Sequence, residues 1–159
     1  MNFKDKIRSN TFAVTYEVGP PKGIETDKLV ENAAAVSGRV DAFNVTDMQS
    51  SVMRLGSLAV CSILKRRGLD PVYQITCRDR NRLALQSDIL SAGALGIENI
   101  LVLTGDYPTL GDHPEAKPVF DLDVVQLLGV VRCLQGGYDM NGHALSGAAP
   151  KFCVGAVIN

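Results

Sequence analysis

The sequence lacks any block of one charge: 16 lysines and arginines face 17 aspartates and glutamates, a net charge of −1 over 159 residues. Nothing here is built to track a phosphate backbone, so nucleic acid is excluded as the expected partner. No apolar run approaches the ~20 residues that a membrane helix needs, and no membrane partner is expected. The opening segment, MNFKDKIRSN, has no apolar centre of the kind a secretory signal carries. The expected setting is the cytoplasm. Histidine is scarce, with only His113 and His143. Neither they nor Cys61, Cys77, Cys133 and Cys153 are spaced as a metal-ligand set. The cysteines read as buried, reduced thiols, with Cys77 at a strand end the only one worth watching.

What is present is a repeat. Hydrophobic residues make up 46% of the chain, enough for one domain with a real core. Glu17, Thr46, Thr76 and Asp106 recur at gaps of 29, 30 and 30 residues, each after a short apolar run and before a loop and a helical pattern. About 30 residues is one strand–helix unit, and a series of such units marks a parallel α/β fold. The strands' C-terminal ends then gather on one face, where ligands bind. The spacing alone therefore suggests that four polar side chains share one site.

The units can be bounded locally. Residues 2–9 suggest a short charged helix. Phe12–Val18 reads as a strand, stopped by Gly19-Pro20-Pro21. Thr26 is placed to cap a helix starting at Asp27, with Leu29, Ala33 and Val36 on one face and Gly38 as its stop. A strand over Val40–Thr46 precedes a polar loop near Asp47–Ser51. The next helix turns Leu55, Leu58, Cys61 and Leu64 inward and carries Lys65, Arg66 and Arg67 near its end, before Gly68. A third strand covers Val72–Cys77. The run Arg78–Arg82 reads as a solvated helix start with Asp79 near the cap, leading to a stripe of Leu85, Ile89 and Ala92. The fourth strand, Asn99–Thr104, is the most apolar. A long loop runs from Asp106 to about Phe120. Asp121 or Asp123 then starts a helix with Val124, Leu127, Leu128, Val131 and Leu134 on one face, ended by Gly136-Gly137. A fifth strand spans Lys151–Ile158. Both histidines fall in loops and should be exposed.

Alternation within the first strands separates barrel from open sheet. Ala13, Thr15 and Glu17 share one face, and Phe12, Val14 and Tyr16 the other. Ala42, Asn44 and Thr46 likewise oppose Phe43 and Val45. The small polar set must look into a ligand-filled space, and the bulky set must meet helices. A doubly wound sheet would want apolar residues on both faces. The expected fold class is α/β, a (β/α)8 TIM barrel of which this chain supplies about (βα)4β, with residues 1–159 as a single domain. Because a complete barrel typically takes ~250 residues, the chain is expected to be part of a longer protein. Asn159 would end level with the four polar residues. Strands one and five would have open edges, so the piece alone should be sticky, weakly stable or dimeric.

Five strings carry a resemblance: TYEVGPPKG (15–23), FNVTDMQ (43–49), QITCRDRNR (74–82), LTGDYP (103–108) and VFDLDVVQLL (119–128). In this order, over nearly the whole chain, they resemble the flavin-dependent methylenetetrahydrofolate reductases. The resemblance implies a barrel holding FAD at its C-terminal face, reduced by NADH or NADPH, which passes a hydride to 5,10-methylenetetrahydrofolate and yields 5-methyltetrahydrofolate. It implies that Glu17 is the general acid that protonates the folate nitrogen and opens the five-membered ring to a cation. It implies that Asp106 lies by the flavin and the folate, steadying that cation and tuning the flavin. Thr46, Gln74, Thr76, Leu103, Thr104 and Gly105 would contact the cofactor, with Phe120 and Asp121 near its outer part. Position 74 departs from the pattern: Gln74 stands where many members carry histidine, and an amide hydrogen-bonds but does not titrate.

The chemistry wants these residue types on its own terms. A general acid working near neutral pH needs burial or a charged neighbour to hold its proton, and Glu17 at a strand end beside a flavin would have both. A glycine at 105 would let a flat ring approach the backbone. Two rivals stand beside the oxidoreductase. One is a pterin-binding methyltransferase barrel without flavin. The other is a non-catalytic subunit or interaction module, and a homo-oligomer or a partner reductase subunit fits the open edges.

Overall fold

The computed structural model describes residues 2–157. The expected strand end at Ile158 and the level of Asn159 lie outside the described residues. A short helix α1 (Phe3–Arg8) leads into β1 (Thr15–Val18), α2 (Asp27–Val36), β2 (Ala42–Val45), α3 (Ser57–Arg66), β3 (Pro71–Thr76), α4 (Arg82–Ala94), β4 (Asn99–Leu103), α5 (Val124–Gln135) and β5 (Cys153–Ala156). The five strands form one sheet in the order β1-β2-β3-β4-β5, and every pair is parallel. A doubly wound sheet reverses direction at a switch point. This one never reverses.

The local reasons for the helices are specific. Asn81 caps α4, its side chain accepting from the Leu83 and Ala84 amides at 3.1 Å. Asp79, expected near the cap, lies two residues before it and is taken up by Arg78. Asp123, not Asp121, starts α5 through a reciprocal capping box with Gln126. Thr26 precedes α2 but makes no side-chain cap, because its backbone is already near helical.

Register makes the two faces of the sheet unlike. Glu17 pairs with Asn44, Asn44 with Val72, Val72 with Asn99, and Asn99 with Cys153. On the opposite face Val18, Val45, Tyr73 and Ile100 align, all buried. They meet Ala33 of α2, Cys61 and Leu64 of α3, Leu85 and Ile89 of α4, and Leu127 and Leu134 of α5 in one cluster. Fully burying one such leucine or isoleucine contributes ~1.5–3 kcal/mol. Leu64→Ala would therefore cost about 2–5 kcal/mol.

The first strand departs from expectation. It begins at Thr15, not Phe12. Phe12 is 84% exposed, and Val14 and Tyr16 are also exposed. The strand sits at the sheet edge, where it is covered less than its neighbours, although Tyr16 still meets Phe43 edge-on at 6.2 Å. The cysteines also divide: Cys61 and Cys77 are buried, but Cys133 is exposed on α5. Burial first, and the Asp123 charge second, pushes the Cys77 thiol up to about 11, as befits a packed thiol. Both histidine side chains are exposed.

Candidate active site

The polar face ends in a cavity of about 610 Å³ at the strands' C-terminal ends, a size that suits a small molecule. Glu17, Thr46, Gln74, Thr76, Leu103, Thr104, Gly105 and Asp106 all line it. The repeat therefore brings its four polar residues to one place. They do not share one pairing row. Glu17 pairs with Asn44, two residues before Thr46; Asn44 pairs with Val72, two before Gln74; Thr76 pairs with Leu103, three before Asp106. The residues climb a staircase across the sheet, the stagger expected of tilted strands.

Each of the four is spent differently. Glu17 is exposed and makes no side-chain hydrogen bond or ion pair among the described residues. The burial expected for it is not supplied by this sheet, because its strand is at the edge. Thr46 is 3% exposed, and its hydroxyl has no partner. Among the described residues Asn44 Oδ1, Tyr73 Oη and Asn99 Oδ1 are buried without a partner as well, but of these four residues only Thr46 lines the cavity. Thr76 is committed to structure: its amide and hydroxyl both donate to Asp47 Oδ2, at 2.9 and 3.0 Å. Asp106 accepts from the Ser50 amide at Oδ2, 2.9 Å, and its other carboxylate oxygen has no partner among the described residues.

Two cations of the charge run are drawn inward, Arg78 onto the cavity wall and Arg80 onto Asp47. Arg78, expected in solvent, is 2% exposed. It donates to the carbonyls of Asp106 (3.2 Å) and Met48 (3.4 Å) and to the Asp79 carboxylate. Arg80 donates to Asp47 at 2.7 and 3.3 Å and to Asp88 at 2.8 Å. Burial opposes the Arg80 charge, but the Asp47 charge and hydrogen bond outweigh it and hold the guanidinium above its ordinary range. The available signal was Asp47 itself, an acid two residues past a buried strand, with a basic run at the same place in the next unit.

The other expected residues divide. Gly105 takes φ +90°, and a Cβ there would lie 3.0 Å from Thr76 Cβ and 3.1 Å from Arg78 Cβ. The glycine is needed for its backbone and its neighbours, and it lines the cavity. Phe120 is outside the cavity lining and packs on Tyr107, ring centroids 5.3 Å apart. Asp121 is also outside it, bound to the Arg82 amide and guanidinium at 2.8 Å.

Four of the five quoted strings straddle strand ends at this cavity, and the fifth contains the start of α5. The family model described as methylenetetrahydrofolate reductase matches residues 2–153. The chain belongs to the methylenetetrahydrofolate reductase family. A relative, methylenetetrahydrofolate reductase 2 of Schizosaccharomyces pombe, is 30% identical over 148 residues, covering 88% of this chain and 22% of the relative. The chain thus spans little more than a fifth of that relative's length. Membership of the methylenetetrahydrofolate reductase family bears out the resemblance drawn from the strings. Among the described residues no helix is long and apolar enough to cross a membrane, and no metal-ligating cluster occurs.

Proposed function

We propose that this chain is the N-terminal part of a (β/α)8 barrel that binds FAD at its strand ends and reduces 5,10-methylenetetrahydrofolate to 5-methyltetrahydrofolate, drawing electrons from NADH or NADPH. Family membership supports the reaction class. The observation that carries the site is Thr46: a buried hydroxyl without a partner, on a polar cavity wall shared by Glu17 and Asp106. The residues present fit a flat heterocycle with polar edges. Thr46 and Gln74 offer hydrogen bonds, and Leu101 and Leu103 offer apolar surface.

Bound FAD would supply hydride transfer between nicotinamide and folate. Glu17, tied to nothing else among the described residues, is free to deliver a proton to the folate nitrogen as its ring opens. Asp106 brings a carboxylate to the same cavity, where it would stabilise a developing cation. Gln74 can orient a ring edge but cannot move a proton. Thr76 contributes through Asp47, holding the strand end in place. Phe120 reaches the site only through Tyr107, so its contact with the cofactor is indirect in this reading.

Titration of the intact protein with FAD, followed by absorbance and flavin fluorescence, tests the proposal. Saturable binding that Thr46→Val weakens is the expected result. A protein that stays colourless with excess FAD, yet binds a reduced pterin, would move the reading to a methyltransferase. A protein that binds neither would leave an interaction module.

A further inference from the structure

Asp106 is held by an unusual piece of backbone. In the loop after β2, Met48, Ser50 and Ser51 all take left-handed conformations, with φ of 48°, 57° and 55°. Residues with a side chain rarely hold that region unless their surroundings compensate. The surroundings do so here. The Ser50 amide donates to Asp106 Oδ2 (2.9 Å), and the Ser51 hydroxyl donates to the Asp106 carbonyl (2.7 Å). Arg78 ties the same carbonyl to that of Met48. From the far side, Gly111 lies so close that a Cβ there would be 1.9 Å from the Ser51 carbonyl oxygen and 2.7 Å from Ser51 Cβ. Its φ of −101° is open to any residue, so the glycine is required by space alone. Gly111 does not line the cavity.

We propose that the left-handed Ser50–Ser51 turn, seated on Gly111, is the device that positions the Asp106 carboxylate in the cavity. Ser50 occupies one carboxylate oxygen with its amide and leaves the other for the ligand. Ser51 fixes the peptide that carries the carboxylate. Any side chain at 111 forces the turn away from Asp106, because the atom it would strike is backbone. Gly111 and Ser51 are positioning residues, acting on the ligand only through Asp106. This inference rests on the flavin reading for its consequence, though not for its geometry.

The experiment uses the intact protein and two readouts. The first needs no flavin: NMR of the Ser50 amide in the parent, Gly111→Ala, Ser51→Ala and Ser50→Gly. Exchange about tenfold faster is expected in Gly111→Ala and Ser51→Ala, the loss of one protecting hydrogen bond. Ser50→Gly keeps the amide and suits the left-handed backbone, so it retains protection. The second readout is the reduction potential of bound flavin. Asp106→Asn should move it to more positive values, Gly111→Ala should move it the same way by less, and the double variant should match Asp106→Asn alone. Unchanged Ser50 protection in both Gly111→Ala and Ser51→Ala overturns the proposal, as does a double variant that shifts by the sum of the two. If Gly111→Ala does not fold, Ser51→Ala decides. If the parent takes up no flavin, the functional reading fails while the first readout still decides what holds Asp106.

Discussion

Glu17 and Asp47 are carboxylates at the ends of adjacent strands, and the fold treats them oppositely. Asp47 has a fully buried side chain; it accepts from the Thr76 amide, the Thr76 hydroxyl and two nitrogens of Arg80. Glu17 lies at the edge of the same cavity with no partner among the described residues. One acid is consumed in joining β2 to β3 and to the start of α4. The other keeps all its hydrogen-bonding capacity for whatever enters. A carboxylate that satisfies the protein is poorly placed to exchange a proton with a substrate, so the unsatisfied one is the better candidate for chemistry.

Removing Asp47 gives the largest expected effect. Asp47→Ala leaves Arg80 buried without its main counter-charge and strips the acceptor from two Thr76 donors. A loss of about 3–5 kcal/mol is expected, read from the denaturant midpoint. A loss under about 1 kcal/mol would break the contrast by showing that Arg80 and Thr76 find other partners. Glu17→Gln should do the reverse. Its stability should change by less than about 0.5 kcal/mol, as for an exposed residue outside any network. Folate reduction should fall about 10²-fold or more, while nicotinamide still bleaches the flavin. Equal loss of both half-reactions would make Glu17 a structural residue like Asp47.

Much of this contrast could be read before any coordinates. The repeat of Glu17, Thr46, Thr76 and Asp106 marks the cavity because it reflects chain length per unit, which is local. The apolar stripes of α3, α4 and α5 follow from helical period for the same reason, and Leu64, Ile89 and Leu134 are buried as expected. What escaped depends on contacts between units. Arg78 looks like any member of a charged run until Asp106 and Met48 close over it. Phe12 looks like a helix-facing strand residue until β1 proves to start three residues later. The role of Gly105 depends on Thr76 and Arg78, which belong to the preceding unit.

Thr46 sharpens the comparison at a smaller scale, since its buried hydroxyl is neither satisfied nor solvated. Thr46→Val keeps the shape and removes the orphan group. Without ligand, the variant should be more stable by about 1 kcal/mol, the desolvation cost relieved. With FAD, it should bind about tenfold more weakly for want of one hydrogen bond. Opposite signs in the two measurements would place Thr46 with Glu17 among residues kept for a ligand. A destabilised variant with unchanged flavin affinity would place it with Asp47.

The smallest effect belongs to a third carboxylate, intermediate between those two. Asp121 is paired with Arg82, but at the surface, their side chains 27% and 47% exposed. The hydrogen bond from the Arg82 side chain, and then that from its amide, holds the Asp121 carboxyl down at about 2, against about 4 for a free aspartate. The native state therefore binds this proton more weakly than the unfolded chain does. The stabilisation is fully present above about pH 4 and is lost as pH falls towards 2. Asp121→Asn should flatten the acid limb of the stability profile between those values, and high salt should do the same to the parent by screening the pair. If the acid limb keeps its slope in Asp121→Asn, the protons taken up on acid unfolding belong to other carboxylates. Asp112, whose carboxyl the Lys22 hydrogen bond holds well below the ordinary carboxylate range, would then be the first to examine, and the gradation from buried acid to surface acid would lose its middle term.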